Sequence, residues 1–213
     1  MRPRVAARAA ERQALGRREM PDAFDSARAA YEESVVRLLV GRSISAVAYY
    51  EIEYEGGFVG WRSTPNVGHL LDQGLDLTMV DGHTCLVTWN QTFNQYDLDV
   101  RAGSLKDELI GGCCYDVSRE RPWSSLLGRR IVDVAVYWSW VEEQVGDSRK
   151  RNHFPLDLAV SFGDSTVFLC ARQYFSERDE FFPGGDEIAV IFDDAAVRGY
   201  RIGPFQDDES LPN

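Results

Sequence analysis

The chain is short of the residues from which catalytic and metal centres are usually built. Its 213 residues include three histidines and four cysteines. His69, His83 and His153 have no histidine or cysteine at metal-ligand spacing, and adjacent Cys113 and Cys114 lack the two-residue gap that zinc sites favour. No metal and no cofactor is therefore expected. There is no Gly-x-Ser-x-Gly elbow, and Gly111-Gly112-Cys113-Cys114 has no Lys-Ser/Thr sequel that would cradle a phosphate. The nearest nucleophile–base pairing is Cys85 with His83, two apart on one strand, which brings them together only at Cβ. The sequence thus assigns no catalytic residue.

Long apolar runs are missing as well. Nothing approaches the roughly 20 residues that span a bilayer, and no secretory h-region follows the N-terminus. The cysteines are accordingly expected as reduced thiols of a cytoplasmic protein away from membranes. Positive charge is also scarce, with 23 Lys and Arg against 34 Asp and Glu and a formal charge of −11. This argues against nucleic acid as a partner and suits either a basic protein or plain solubility.

The composition that remains, 44 % hydrophobic and 12 % aromatic, is that of a packed globular protein. The main organising signal is a correspondence between two halves. Leu38-Leu39-Val40-Gly41-Arg42-Ser43-Ile44 answers to Leu126-Leu127-Gly128-Arg129-Arg130-Ile131, and each is followed by an apolar strand. Leu75-Asp76-Leu77 with the turn Asp81-Gly82 answers to Leu156-Asp157-Leu158 with the turn Gly163-Asp164. Such a pattern predicts two related four-strand units, an internal duplication, built around one core. The fold expected is α+β and mostly antiparallel β, with two related β-meanders packed as one sheet system or sandwich and an N-terminal helix. Residues 1–20, with six arginines against two glutamates before Met20, are expected to be a disordered or frayed extension. Residues 21–205 read as one β-rich domain with repeats near 38–103 and 125–192, and residues 206–213 as an acidic tail.

Within that frame a helix is predicted over 21–40, its face carried by Phe24, Ala27, Tyr31, Val35 and Leu38. Strands are predicted at 44–54, 75–80, 83–93 and 96–100, then at 131–141, 156–162, 165–171 and 186–192. Asp81-Gly82 reads as a two-residue hairpin turn. Residues 58–74 read as a loop with a helical turn near 67–71, and 142–153 as an exposed connection. Short helices are predicted at 104–110 and after Asp193 or Asp194. Glu51 and Glu53 align with Trp138 and Trp140, which predicts that the second unit buries more than the first.

Gly184-Gly185-Asp186-Glu187-Ile188-Ala189-Val190 resembles the GGDEF signature of diguanylate cyclases. In that family the glycine turn approaches a nucleotide and the acidic pair serves metal binding and catalysis. The tract departs from the pattern at Ile188, where the family has Phe, and only a short tail follows Val190 in place of further αβ structure. Its other reading is a Gly-Gly turn leading into a buried strand. Two more acidic groups, Asp97 with Asp99 and Asp179-Glu180, have the spacing of hard-cation or acid/base pairs, or of a solvated strand edge.

Because no catalytic constellation emerges, the leading expectation is a non-catalytic binding protein, such as an acidic bacterial immunity or inhibitor protein that recognises a basic partner. The candidate binding residues are the tryptophans Trp138 and Trp140 and the acids Asp179, Glu180, Asp186 and Glu187. A small metal-assisted hydrolase or ligand-binding enzyme using the acids near 179–187 is the alternative, and a cyclic-dinucleotide protein the third.

Overall fold

A computed structural model describes residues 23–52, 60–94, 96–109, 112–145 and 148–206. The expected N-terminal extension, Glu53, Gly56-Gly57 and residues 207–213 of the acidic tail lie outside them. The described residues form a helix and eleven antiparallel strands in two sheets, with short helices between and after them. No described helix is long and apolar enough to cross a membrane.

Helix α1 (Ala23–Leu39) buries only Val35 and Leu39, in its last two turns. The expected face is thus only partly right, because Ala27 is exposed and Leu39 is more buried than Leu38. Gly41 stops the helix at φ +86°, a left-handed conformation that glycine adopts without strain. The chain then enters β1 (Ile44–Glu51), which pairs with β4 (Gly74–Met79). β4 leads into β5 (Thr84–Asn90) and β5 into β6 (Asp97–Ala102), giving the order β6-β5-β4-β1. A strand the sequence did not signal, β7 (Cys113–Asp116), adds beyond β1 and completes sheet 1. Between β6 and β7 lies α2 (Leu105–Glu108), and after β7 comes α3 (Arg121–Ser124), which buries Trp123.

Sheet 2 holds β8 (Asp133–Val145), β9 (Ser148–Ser161), β10 (Thr166–Phe175) and β11 (Glu180–Ile191), each paired with the next. Its far edge is β3 (Gly68–Leu71), then β2 (Arg62–Thr64). Residues 58–74 were expected as loop, but β3 is recruited by the apolar edge of β11, with Leu70 facing Ala189 and Leu71 facing Ile188. Residues 142–153 were expected as an exposed connection, and instead β8 and β9 run on through them as a long hairpin. Polar side chains there hid a ladder whose pairing is backbone to backbone. The Asp81-Gly82 turn also differs from a two-residue turn. Gly82 N–H donates to Met79 and Met79 N–H donates to His83, with only Gly82 left-handed, which is a type I turn closed by a glycine bulge.

β5 and β6 lie against β9, β10 and β11, so the sheets form a sandwich whose interior holds Leu75, Leu77, Val87, Leu158, Leu169 and Ile188, while Leu86 packs with Tyr50 and Leu105 on the other face of sheet 1. The outer face of sheet 2 is covered by α4 (Asp194–Gly199) and a 3-10 turn at Gly203–Phe205, which bury Ala196, Val197 and Ile202 against Phe168, Cys170 and Ile191. Asp193 caps α4 by accepting from Ala195 N–H at 2.8 Å.

The matched sequence stretches meet in space. Gly41 N–H donates to Ile131 C=O at 2.8 Å, and Gly128 N–H donates to Ile44 C=O at 2.8 Å, a reciprocal exchange between corresponding residues. Arg42 pairs with Asp81 in the first hairpin turn, and Arg129 with Asp164 in the second. The Leu-Asp-Leu aspartates are both buried. Asp76 accepts from Leu105 N–H at 2.9 Å and Ser104 Oγ at 2.5 Å, at the start of α2. Asp157 accepts from Gly203 N–H at 2.8 Å, at the start of the 3-10 turn, and from Gln206 Nε2 at 2.5 Å.

Asp157 also receives Arg172 in a two-pronged ion pair of 2.6 and 2.7 Å, with both side chains buried. Pairing of β9 with β10 ends at Asp157 and Cys170. Beyond it the β8–β9 and β10–β11 hairpins continue as separate arms. Removing one partner of a buried pair strands the other charge in a low-dielectric interior. Asp157→Ala is therefore expected to lower unfolding free energy by about 3–5 kcal/mol, measured by chemical denaturation. Asp164→Ala, at an exposed turn, should cost less than about 1 kcal/mol.

Candidate functional site

The six residues singled out from the sequence fall in two places. Trp138 and Trp140 are on β8, half-buried, and share a face by strand alternation. Trp138 meets the ring of Phe93 edge-on at 5.0 Å, and the Arg151 guanidinium lies 4.0 Å above Trp140. The expectation that this half buries more is overturned: Glu51, aligned with Trp138, is 1 % exposed while the tryptophans are half exposed. The reason is position. Glu51 ends a strand in the middle of sheet 1, whereas β8 is the edge of sheet 2.

The four acids belong to the β10–β11 arm. Asp179 sits at its tip at φ +52° and accepts from Tyr174 Oη at 2.7 Å and Tyr200 Oη at 2.6 Å. These bonds hold its carboxyl below the usual carboxylate range. Glu180 is exposed and pairs with Arg178 at 3.2 Å. Asp186 is exposed, but Glu187 turns inward and is buried.

The Gly-Gly-Asp-Glu tract is a break in the ladder. Ala171 pairs with Ile188, yet the next residue, Arg172, pairs with Pro183, so residues 184–187 stand out of register. Gly184 is left-handed at φ +74°, and a Cβ on Gly185 would lie 2.3 Å from Gln173 Cβ. Glu187 closes the break: its Oε2 accepts from Tyr174 N–H at 2.9 Å and its other oxygen pairs with Arg62. Both glycines are thus required by backbone geometry and close approach.

Beyond the bulge, alternation divides the arm. Tyr174 and Phe181 face α4, where Tyr200 packs edge-on against Phe181 at 5.1 Å. Phe175 and Phe182 point the other way, with ring centroids 6.4 Å apart and Phe182 42 % exposed. Glu180, opposite Phe175 in the ladder, shares that face and is exposed. Exposed Glu177 lies in the turn, and Arg178, tied to Glu180, lies beside Phe175, while Asp179 is turned to Tyr174 and Tyr200 on the other face.

A second polar cluster, missed from the sequence, lies at the base of this arm. Glu51 Oε2 accepts from Asp72 N–H at 3.1 Å, while Oε1 meets no donor. Burial raises the Glu51 carboxyl to about 8, the Asp72 carboxylate adds to the rise, and Arg62 opposes it. Burial raises Asp72 and Glu187 also, despite the pull of Arg62 on both. Glu51 therefore carries a proton at neutral pH beside Asp72, an arrangement able to give up and recover one proton. Nearby, Tyr49 Oη donates to His69 Nδ1 at 2.8 Å and accepts from Trp123 Nε1 at 2.5 Å. Burial lowers His69 to about 4, so the ring is neutral and free to accept. The only sequence signal for Glu51 was its place opposite a tryptophan.

The other residues weighed from the sequence, Asp97, Asp99 and Cys85, are committed to structure. Asp97 accepts from the N–H groups of Thr92, Phe93 and Asn94, and Asp99 pairs with Arg101 at 2.7 Å. Cys85 is buried, which pushes its thiol up to about 12, while His83 is exposed. All four cysteines are free. Among the described residues no three His, Cys, Asp or Glu side chains converge as a metal site would need. No family model, curated protein or solved structure matches the chain.

Because Glu51 holds its proton more tightly folded than unfolded, raising the pH from about 4.5 to 8 releases protons from the unfolded chain first and favours it. Stability should fall over that window, by on the order of 3 kcal/mol from this group. Glu51→Gln should flatten the slope, measured as unfolding free energy against pH.

Proposed function

We propose that the protein is a non-catalytic binding protein that takes a basic segment of a partner protein on the β10–β11 arm. One observation carries this reading: the Phe175–Phe182 pair, with Phe182 exposed, shares its face of the arm with exposed Glu180, on an arm that also carries exposed Glu177 in its turn and exposed Asp186. Buried aromatic area supplies the slow off-rate at an interface, and the rim of carboxylates speeds encounter with a cation. The formal charge of −11 acts in the same direction at longer range. An immunity or inhibitor role, in which a basic partner is neutralised, is the biological form that fits this chemistry.

The arm is suited to the task by its rigidity. Asp179 fixes its tip to α4 through Tyr200, and Glu187 with Arg62 fixes its base. A preordered apolar pair loses little conformational freedom on binding.

Titration with a fluorescent Lys/Arg-rich peptide bearing one apolar side chain tests the reading. Wild type should bind with an affinity that falls as salt rises, and an acidic peptide of equal length should not bind. Phe182→Ala should weaken binding by about 1–2 kcal/mol, and Glu180→Lys with Asp186→Lys should slow association several-fold. Equal binding of both peptides, or indifference to all three substitutions, would reject the arm as the site.

A further inference from the structure

The two sheets have four edges, and three are short: β6 has six residues, β7 four and β2 three. The fourth, β8, runs for 13 residues and its outer side is paired to no described strand. Exposed edges of that length invite pairing and are normally blunted by charged side chains, lysine above all, or by proline or a bulge on the edge strand itself. β8 has no lysine and no proline, and its charges are Asp133, Glu142 and Glu143, all near its ends. The register shift at Tyr137 and Trp138 puts the extra residue, Leu156, on β9, leaving β8 continuous. Two of its acids are drawn back across the hairpin, Glu142 to Arg149 at 3.0 Å and Glu143 to Asn152 at 2.7 Å.

We infer that β8 is the interface of a two-fold dimer, in which β8 of one copy pairs antiparallel with β8 of a second. The strand is complementary to itself. With the axis at Ser139, all 13 residues overlap and no carboxylate falls opposite another. Glu142 meets Val136, Glu143 meets Ala135, and Asp133 meets residue 145. Trp138 of one copy lies opposite Trp140 of the other, on the same face, so the axis gathers four tryptophans into one cross-strand cluster. A two-fold axis requires an isologous surface of this kind, and the joined sheets would run continuously through both copies. A foreign strand has no such matching built into this chain.

Sedimentation equilibrium on the full chain tests the register. Wild type should sediment at twice its 24.1 kDa mass in the micromolar range. Val136→Glu places a carboxylate opposite Glu142 twice over, and should weaken the dimer by roughly tenfold. Adding Glu142→Lys turns each clash into an opposite-charge pair and should restore it. Ser139→Cys, with Cys113 and Cys114 changed to Ser, should form a disulfide dimer on oxidation, because the two sulfurs meet at the axis. This last variant gives an answer even if Val136→Glu folds poorly. Wild type sedimenting as a monomer at 100 micromolar, a dimer indifferent to Val136→Glu, failure of Glu142→Lys to restore it, or no cross-link at Ser139→Cys would overturn the interface.

Discussion

The carboxylate of Asp157 governs the second half of the molecule. Four donors reach it: two nitrogens of Arg172, the Gly203 N–H and the Gln206 amide. It lies where β9 and β10 part company, and where the chain leaving α4 turns back over sheet 2. A charge so completely buried is tolerated only because donors reach both of its oxygens, three of them on Oδ2, and a guanidinium balances it. Everything that projects from the sandwich, both hairpin arms and the aromatic faces they carry, starts from that point. In the first half Asp76 does a smaller version of the same work with Ser104 and Leu105.

The acids divide into two populations that composition alone merges. Asp76, Asp97, Asp157 and Glu187 point inward and satisfy backbone N–H groups which turns or bulges leave open. Glu51 is also buried, and keeps a proton instead of a charge at neutral pH. The acids at the tip of the β10–β11 arm, Glu177, Asp179 and Glu180, stay in solvent instead. A net charge of −11 thus overstates the structural role of some acids as charges and understates the local concentration of others.

Much of the framework was legible because it rests on local pattern. Alternating apolar residues found the eight main strands. The strands that escaped notice, β2, β3 and β7, are three or four residues long and owe their form to a neighbour's edge. The long hairpin through residues 142–153 escaped for the opposite reason, since its polar side chains give no alternation while its backbone pairs regularly. Glu187 turned out to be a plug for a bulge, and the Glu51–Asp72 pair could not be foreseen because it joins the end of β1 to the bend between β3 and β4 through burial, which spacing does not encode.

The exchange of hydrogen bonds between Gly41 and Ile131, and between Gly128 and Ile44, bears on how the molecule comes apart. Each glycine terminates a turn whose last N–H finds its acceptor only in the opposite meander. Peeling one meander away would open both turns at once and leave two donors and two acceptors in a region lined by Leu39, Ile44, Leu126 and Ile131. Intermediates with a single ordered lobe are penalised by that coupling, so loss of structure in residues 34–206 is cooperative across both sheets rather than sequential.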